Sequence, residues 1–166
     1  AMMMLYEEGK WRLSDPVTKF VPEFEGLQVY AGDDANGDPI LEPAKRSMTM
    51  QELMSHSSGL AYGLGAGNAV DRMYRERRVL DFSQPLQAMI DNLAEIPLLY
   101  QPGERYFYSI AVDVQGYIVE KLSGQPFDEF LQERIFDPLG MIDTAFYVPE
   151  SKIDWLALIH GEDEEG

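Results

Sequence analysis

The chain has 166 residues, with 13 Lys and Arg against 29 Asp and Glu, two His and no Cys, giving a formal charge of −16 at pH 7. That length fits one compact domain, and a hydrophobic fraction of 45% is enough to fill its core. The lack of Cys excludes disulfides, Cys-ligated zinc and a thiol nucleophile. The acidic excess opposes phosphate backbones, and no basic cluster exceeds the Arg75–Arg78 run, so no nucleic-acid partner is expected. No apolar run approaches the roughly 20 residues that span a bilayer, so no membrane span is expected.

Ala1 to Gly9 reads as the last turns of a helix stopped by Gly9, a residue favoured just past a helix C-cap. A helix with an end but no beginning points to a chain cut from something longer; a frayed natural terminus is the other reading. At the far end Ile153–Ile159 is apolar and helix-like. The Glu162–Glu165 tail after it reads as a solvated charge run.

Between the ends, Ser14 or Asp15 is expected to cap a short helix with Pro16 at its first position, running to about Phe20 before Pro22. Leu27–Tyr30 and Pro39–Leu41 flank an Asn36-Gly37 turn, which predicts a small hairpin within residues 27–43. Thr49-x-x-Glu52 is a capping box opening a helix over Met50–His56, with Leu53 and Met54 inward and Ser57-Ser58-Gly59 ending it. Leu60–Gly67 reads as a loop and Ala69–Arg78 as a helix. Ser83-Gln84-Pro85 starts another, with Leu86, Met89, Ile90 and Leu93 at helical spacing. Pro97 and Pro102-Gly103 bracket a loop. A longer helix over about Ser109–Leu122 carries Ile110, Val114, Tyr117, Ile118 and Leu122 on one face. Pro126 opens the last, with Phe127, Phe130, Leu131 and Ile135 as its stripe, ending before Pro138. The predicted fold is mainly α with one small β-hairpin.

Chemistry is harder to find. His56 and His160 lie far apart and lack partners at ligand spacing, so each reads as a capped or exposed histidine and no metal site is expected. Met2-Met3-Met4 reads as core filler. No Gly-x-Ser-x-Gly elbow is present, and none of the five lysines follows a Ser by three positions. Ser47-Met48-Thr49-Met50 imitates Ser-x-x-Lys, but Met50 cannot accept a proton. His56-Ser57-Ser58 invites a Ser–His pairing, although polar groups at a helix end usually cap.

Taken together, five pieces in order resemble the serine hydrolases of the class C β-lactamase and penicillin-binding-protein superfamily. They are Leu5-Tyr6-Glu7-Glu8-Gly9-Lys10 with Leu13-Ser14-Asp15-Pro16-Val17; Leu53-Met54-Ser55-His56-Ser57-Ser58-Gly59-Leu60; Gln101-Pro102-Gly103-Glu104; Tyr108-Ser109-x-x-x-Asp113-x-x-Gly116-Tyr117-Ile118-Val119-Glu120 with Ser123-Gly124-Gln125-Pro126; and Phe136-x-Pro138-Leu139-Gly140-Met141-x-Asp143-Thr144. The likeness is nearest to the β-lactamase-like carboxylesterases, the family VIII esterases.

That resemblance implies a two-domain α+β fold of which this chain is a middle segment, mostly the helical domain and truncated at both ends. Residues 1–9 then form the tail of the helix that bears the nucleophile, and the Ser-x-x-Lys motif lies two to three helical turns before Ala1. Tyr108 matches the Tyr of the family's Tyr-x-Asn motif, the general base and acid of an acyl-enzyme pathway. A phenol with a pKa near 10 serves at neutral pH if ammonium charge lowers it by about 3 units, on the order of 4 kcal/mol. Where the motif carries Asn, this chain has Ile110, which favours an apolar acyl group over an amide if it walls the pocket. The alternative is that Ile110 is the first core position of the next helix. Tyr62 falls where family members line the substrate cleft, or is a surface aromatic. The expected partners are a small-molecule ester and the remaining N- and C-terminal parts of the same fold, with no cofactor. An isolated segment should expose apolar surface and associate or oligomerise.

Overall fold

Helix α1 (Met2–Glu7) ends as the sequence predicts. Gly9 takes a φ of +72°, so the Gly9 N–H reaches Tyr6 O and the Lys10 N–H reaches Leu5 O. Trp11 folds back under this helix and donates its indole N–H to Met2 O at 3.0 Å. The computed structural model describes residues 1–157 except Ala66 and Phe82. His160, the Glu162–Glu165 tail and the end of the Ile153–Ile159 stretch lie outside the described residues.

The helix expected at Pro16 is instead two 3-10 turns, Val17–Lys19 and Pro22–Phe24. Pro16 stands at the cap position with extended backbone, and Asp15 spends its carboxylate on the Arg12 N–H and the Lys19 ammonium rather than on a cap. With Pro22 so close, only the tighter i→i+3 turn fits. Strands β1 (Gln28–Asp33) and β2 (Pro39–Pro43) form the hairpin, with Val29 opposite Glu42 and Tyr30 opposite Leu41. Asp34 fastens the turn by accepting the Asn36 and Asp38 N–H groups, and Gly37 supplies the positive φ. β1 runs on beyond Tyr30 through an irregularity in register before Asp33.

Helix α2 (Met50–Met54) opens on the capping box: the Glu52 N–H donates to Thr49 Oγ1 at 3.3 Å and the Thr49 N–H to the Glu52 carboxylate at 2.9 Å. Thr49→Ala is expected to lower stability by about 1 kcal/mol, read as a fall in urea midpoint at constant slope. This helix stops earlier than predicted, because His56 adopts a φ of +55°.

Helices α3 (Ala69–Glu76), α4 (Leu86–Ala94), α5 (Ala111–Ser123) and α6 (Phe127–Leu131) follow, and α6 passes into one π-helical turn at Gln132–Phe136. Helix α5 is the hub, packing against α1, α2, α4 and α6. Val114, Tyr117 and Ile118 are buried along it, while Leu122 is only partly covered. The Phe127 ring lies against Gly116, where a Cβ would stand 3.4 Å from it. Among the described residues the fold is thus mostly helical with one antiparallel hairpin. Beyond Pro138 the core thins: Leu139, Ile142, Tyr147 and Trp155 are between 70% and 83% exposed. Among the described residues no helix is long and apolar enough to cross a membrane.

Candidate active site

Two irregular segments, residues 56–63 and 98–110, lie side by side and build the site. The Leu99 N–H donates to Gly59 O at 2.7 Å, Gly103 to Ser57 O at 2.8 Å, Phe107 to His56 O at 2.8 Å and Ile110 to Ala61 O at 3.0 Å. Backbone pairing at this density fixes both segments without regular secondary structure. It brings Tyr62 and Tyr108 together, with ring centroids 5.5 Å apart and planes at 39°.

Helix α3 secures Tyr62 from behind. The Ala61 N–H donates to the Tyr74 hydroxyl at 3.1 Å, and the Gly63 N–H to the buried Asp71 carboxylate at 3.0 Å. Arg75 adds bonds to the Gly63 and Gly65 carbonyls. Burial pushes the Tyr74 phenol far up, so it stays a neutral anchor. Burial also raises Tyr62, with the Asp113 carboxylate and then Tyr108 adding to the effect. Asp113 is itself raised by burial.

Tyr108 projects outward and is 57% exposed, whereas its neighbours Ser109 and Ile110 are buried. The structure thus joins Tyr62 and Tyr108, two of the three residues singled out in the sequence. It places Ile110 fully inside, at the cap position of α5, beside a cavity of about 620 Å³ shared with Leu86, Met89, Asp113 and Phe127. Tyr62 lines an adjoining cavity of about 560 Å³ with Tyr74, Arg75 and Leu80, the last shared with the first cavity.

A residue absent from the sequence-based site is His56. Its ring stacks on Tyr108 at 4.8 Å and 32°, and meets Tyr106 edge-on at 6.0 Å. It neither caps α2 nor pairs with Ser57, whose hydroxyl contacts that of Ser55 at 2.8 Å. Its Nδ1 accepts the Ser109 N–H at 3.2 Å and lies equally close to the Ser109 hydroxyl. Its place at the end of the predicted helix is the only signal in the sequence; the left-handed backbone and the partner 53 residues away are not visible there.

Residues 1–166 match the family model described as beta-lactamase. The chain belongs to the β-lactamase family. Protein Rv1367c of Mycobacterium tuberculosis is 38% identical to it, over 99% of this chain and 40% of that protein. Esterase EstB of Burkholderia gladioli is 32% identical over 90% of this chain and 36% of its own length. The solved structure of EstCE1, titled a hydrolase with promiscuous acyltransferase activity, superposes with a TM-score of 0.69 at 28% identity, covering 90% of this chain and 37% of that one. This β-lactamase-family chain therefore spans about two fifths of the length of the curated relatives it matches. Its other relatives include proteins named as a lovastatin esterase and as acyltransferases.

Proposed function

We propose that these residues supply the general base and part of the cleft of a serine acyl hydrolase acting on esters of short or medium acids. The observation that carries this reading is Tyr108: an exposed phenol on a segment fixed by backbone hydrogen bonds, facing a second tyrosine, Tyr62, with ring centroids 5.5 Å apart. The relatives named as esterases support the ester substrate. No Ser-x-x-Lys occurs in the 166 residues, so in this reading the nucleophile is supplied by polypeptide outside them.

In the proposed reaction that serine oxygen attacks the ester carbonyl carbon while the Tyr108 phenolate takes the hydroxyl proton. Collapse of the tetrahedral adduct breaks the carbon–oxygen bond to the alcohol, and Tyr108 passes its proton to the departing alkoxide. Water then repeats the sequence on the acyl-enzyme, releasing the acid and restoring the serine. Tyr62 walls the cleft. Ile110, buried at the cap of α5, bears on the cleft only through packing and presents no side-chain amide to substrate.

The test uses the full-length protein with p-nitrophenyl butyrate and a chromogenic cephalosporin. Ester turnover with an acyl adduct visible by mass spectrometry is the expected result. Cephalosporin turnover without ester cleavage would replace this reading with a β-lactamase or peptidase. Neither activity, and no adduct, would make the chain part of a non-catalytic binding module.

A further inference from the structure

The two peptide N–H groups that flank Tyr108 both end on one residue. The Phe107 N–H donates to the His56 carbonyl at 2.8 Å, and the Ser109 N–H donates to His56 Nδ1 at 3.2 Å. The backbone at His56 is left-handed, φ +55°, and in that conformation its carbonyl and its ring both face the same neighbouring segment. The ring then lies 4.8 Å from the Tyr108 ring, completing a row that runs Tyr62, Tyr108, His56, Tyr106. Tyr108 is 57% exposed, so apart from the flanking Tyr62 and His56 rings its aim depends on the backbone beneath it.

We propose that His56 is the positioning residue of Tyr108, its unprotonated Nδ1 clamping the Ser109 N–H so that the phenol is held in one orientation. The inference rests on the reading of Tyr108 as the base. An amide N–H can only donate, so the proposed clamp requires Nδ1 as the acceptor with the ring proton on Nε2; the Ser109 hydroxyl, 3.2 Å from the same nitrogen, is the competing partner. His56 itself takes no proton from substrate or nucleophile.

The positive φ makes the test clean, because Asn and Gly are the residues that best tolerate it. His56→Asn keeps an acceptor oxygen near the place of Nδ1; His56→Gly keeps the backbone but no acceptor. In the full-length protein, His56→Gly is expected to lower kcat on the ester by about 10- to 100-fold with KM within about twofold, a loss typical of a misplaced catalytic group. His56→Asn should stay within about threefold of the parent kcat. Adding His56→Gly to Tyr108→Phe should cost nothing further, because both act through one phenol. Full kcat in His56→Gly, or equal losses in the Asn and Gly variants, would overturn the proposal, as would additive losses in the double variant. A ring-nitrogen NMR measurement on the unaltered protein stands apart from variant folding: an Nδ1–H tautomer would also overturn it. Full turnover by Tyr108→Phe alone would sink the reading of Tyr108 as base instead, so the two failures are distinct.

Discussion

Tyr108→Phe is expected to lower kcat for ester hydrolysis by about 10²- to 10⁴-fold, the range lost when a positioned general base is removed. KM should change little, because one oxygen is deleted and the ring that stacks on Tyr62 and His56 stays. Thermal unfolding should not move, since the side chain is 57% exposed and contributes little to the core. Steady-state kinetics paired with a melting curve separate these effects. A variant that melts normally and turns over normally would remove Tyr108 from the mechanism.

The second large effect is on stability. At Gly59, φ is +90°, and a Cβ there would stand 2.1 Å from the Tyr100 carbonyl oxygen and 3.4 Å from Leu98 Cβ. The obstacle is backbone, which cannot swing aside, and the Gly59 carbonyl is already bonded to the Leu99 N–H. Gly59→Ala therefore combines left-handed strain with a forced separation of the two segments, at a cost of about 3 kcal/mol or more. Gly124, at φ +74° in open space, isolates the first component, so Gly124→Ala should cost only about 1 kcal/mol. Urea midpoints for the two variants give the comparison. The Gly59 variant should also lose activity, because separating these segments parts Tyr62 from Tyr108.

Much of this fold is legible in local chemistry. The Gly9 stop, the Asn36-Gly37 turn, the Thr49–Glu52 box and the stripe on α5 each follow from residues within a turn or two of one another. The failures are also local: two prolines, at 16 and 22, crowd a helix into 3-10 turns, and α2 ends at Met54 because His56 turns left-handed. The site was legible only in pieces. Tyr62 and Tyr108 were visible through the family likeness, but their apposition depends on backbone pairing between segments some 40 to 50 residues apart, which leaves no periodic mark. His56 was hidden for the same reason. Ile110 meets the core requirement of α5 and shows no face to solvent.

The two tryptophans sit in opposite surroundings. Trp11 is 1% exposed with its N–H tied to Met2, whereas Trp155 is 75% exposed on the 3-10 turn Glu150–Trp155, among uncovered apolar side chains. The fluorescence of this chain therefore divides into a shielded, blue-shifted component and one that acrylamide can quench. The quenchable fraction is a built-in optical gauge: it shrinks whenever another polypeptide settles over the C-terminal apolar face, with no label attached.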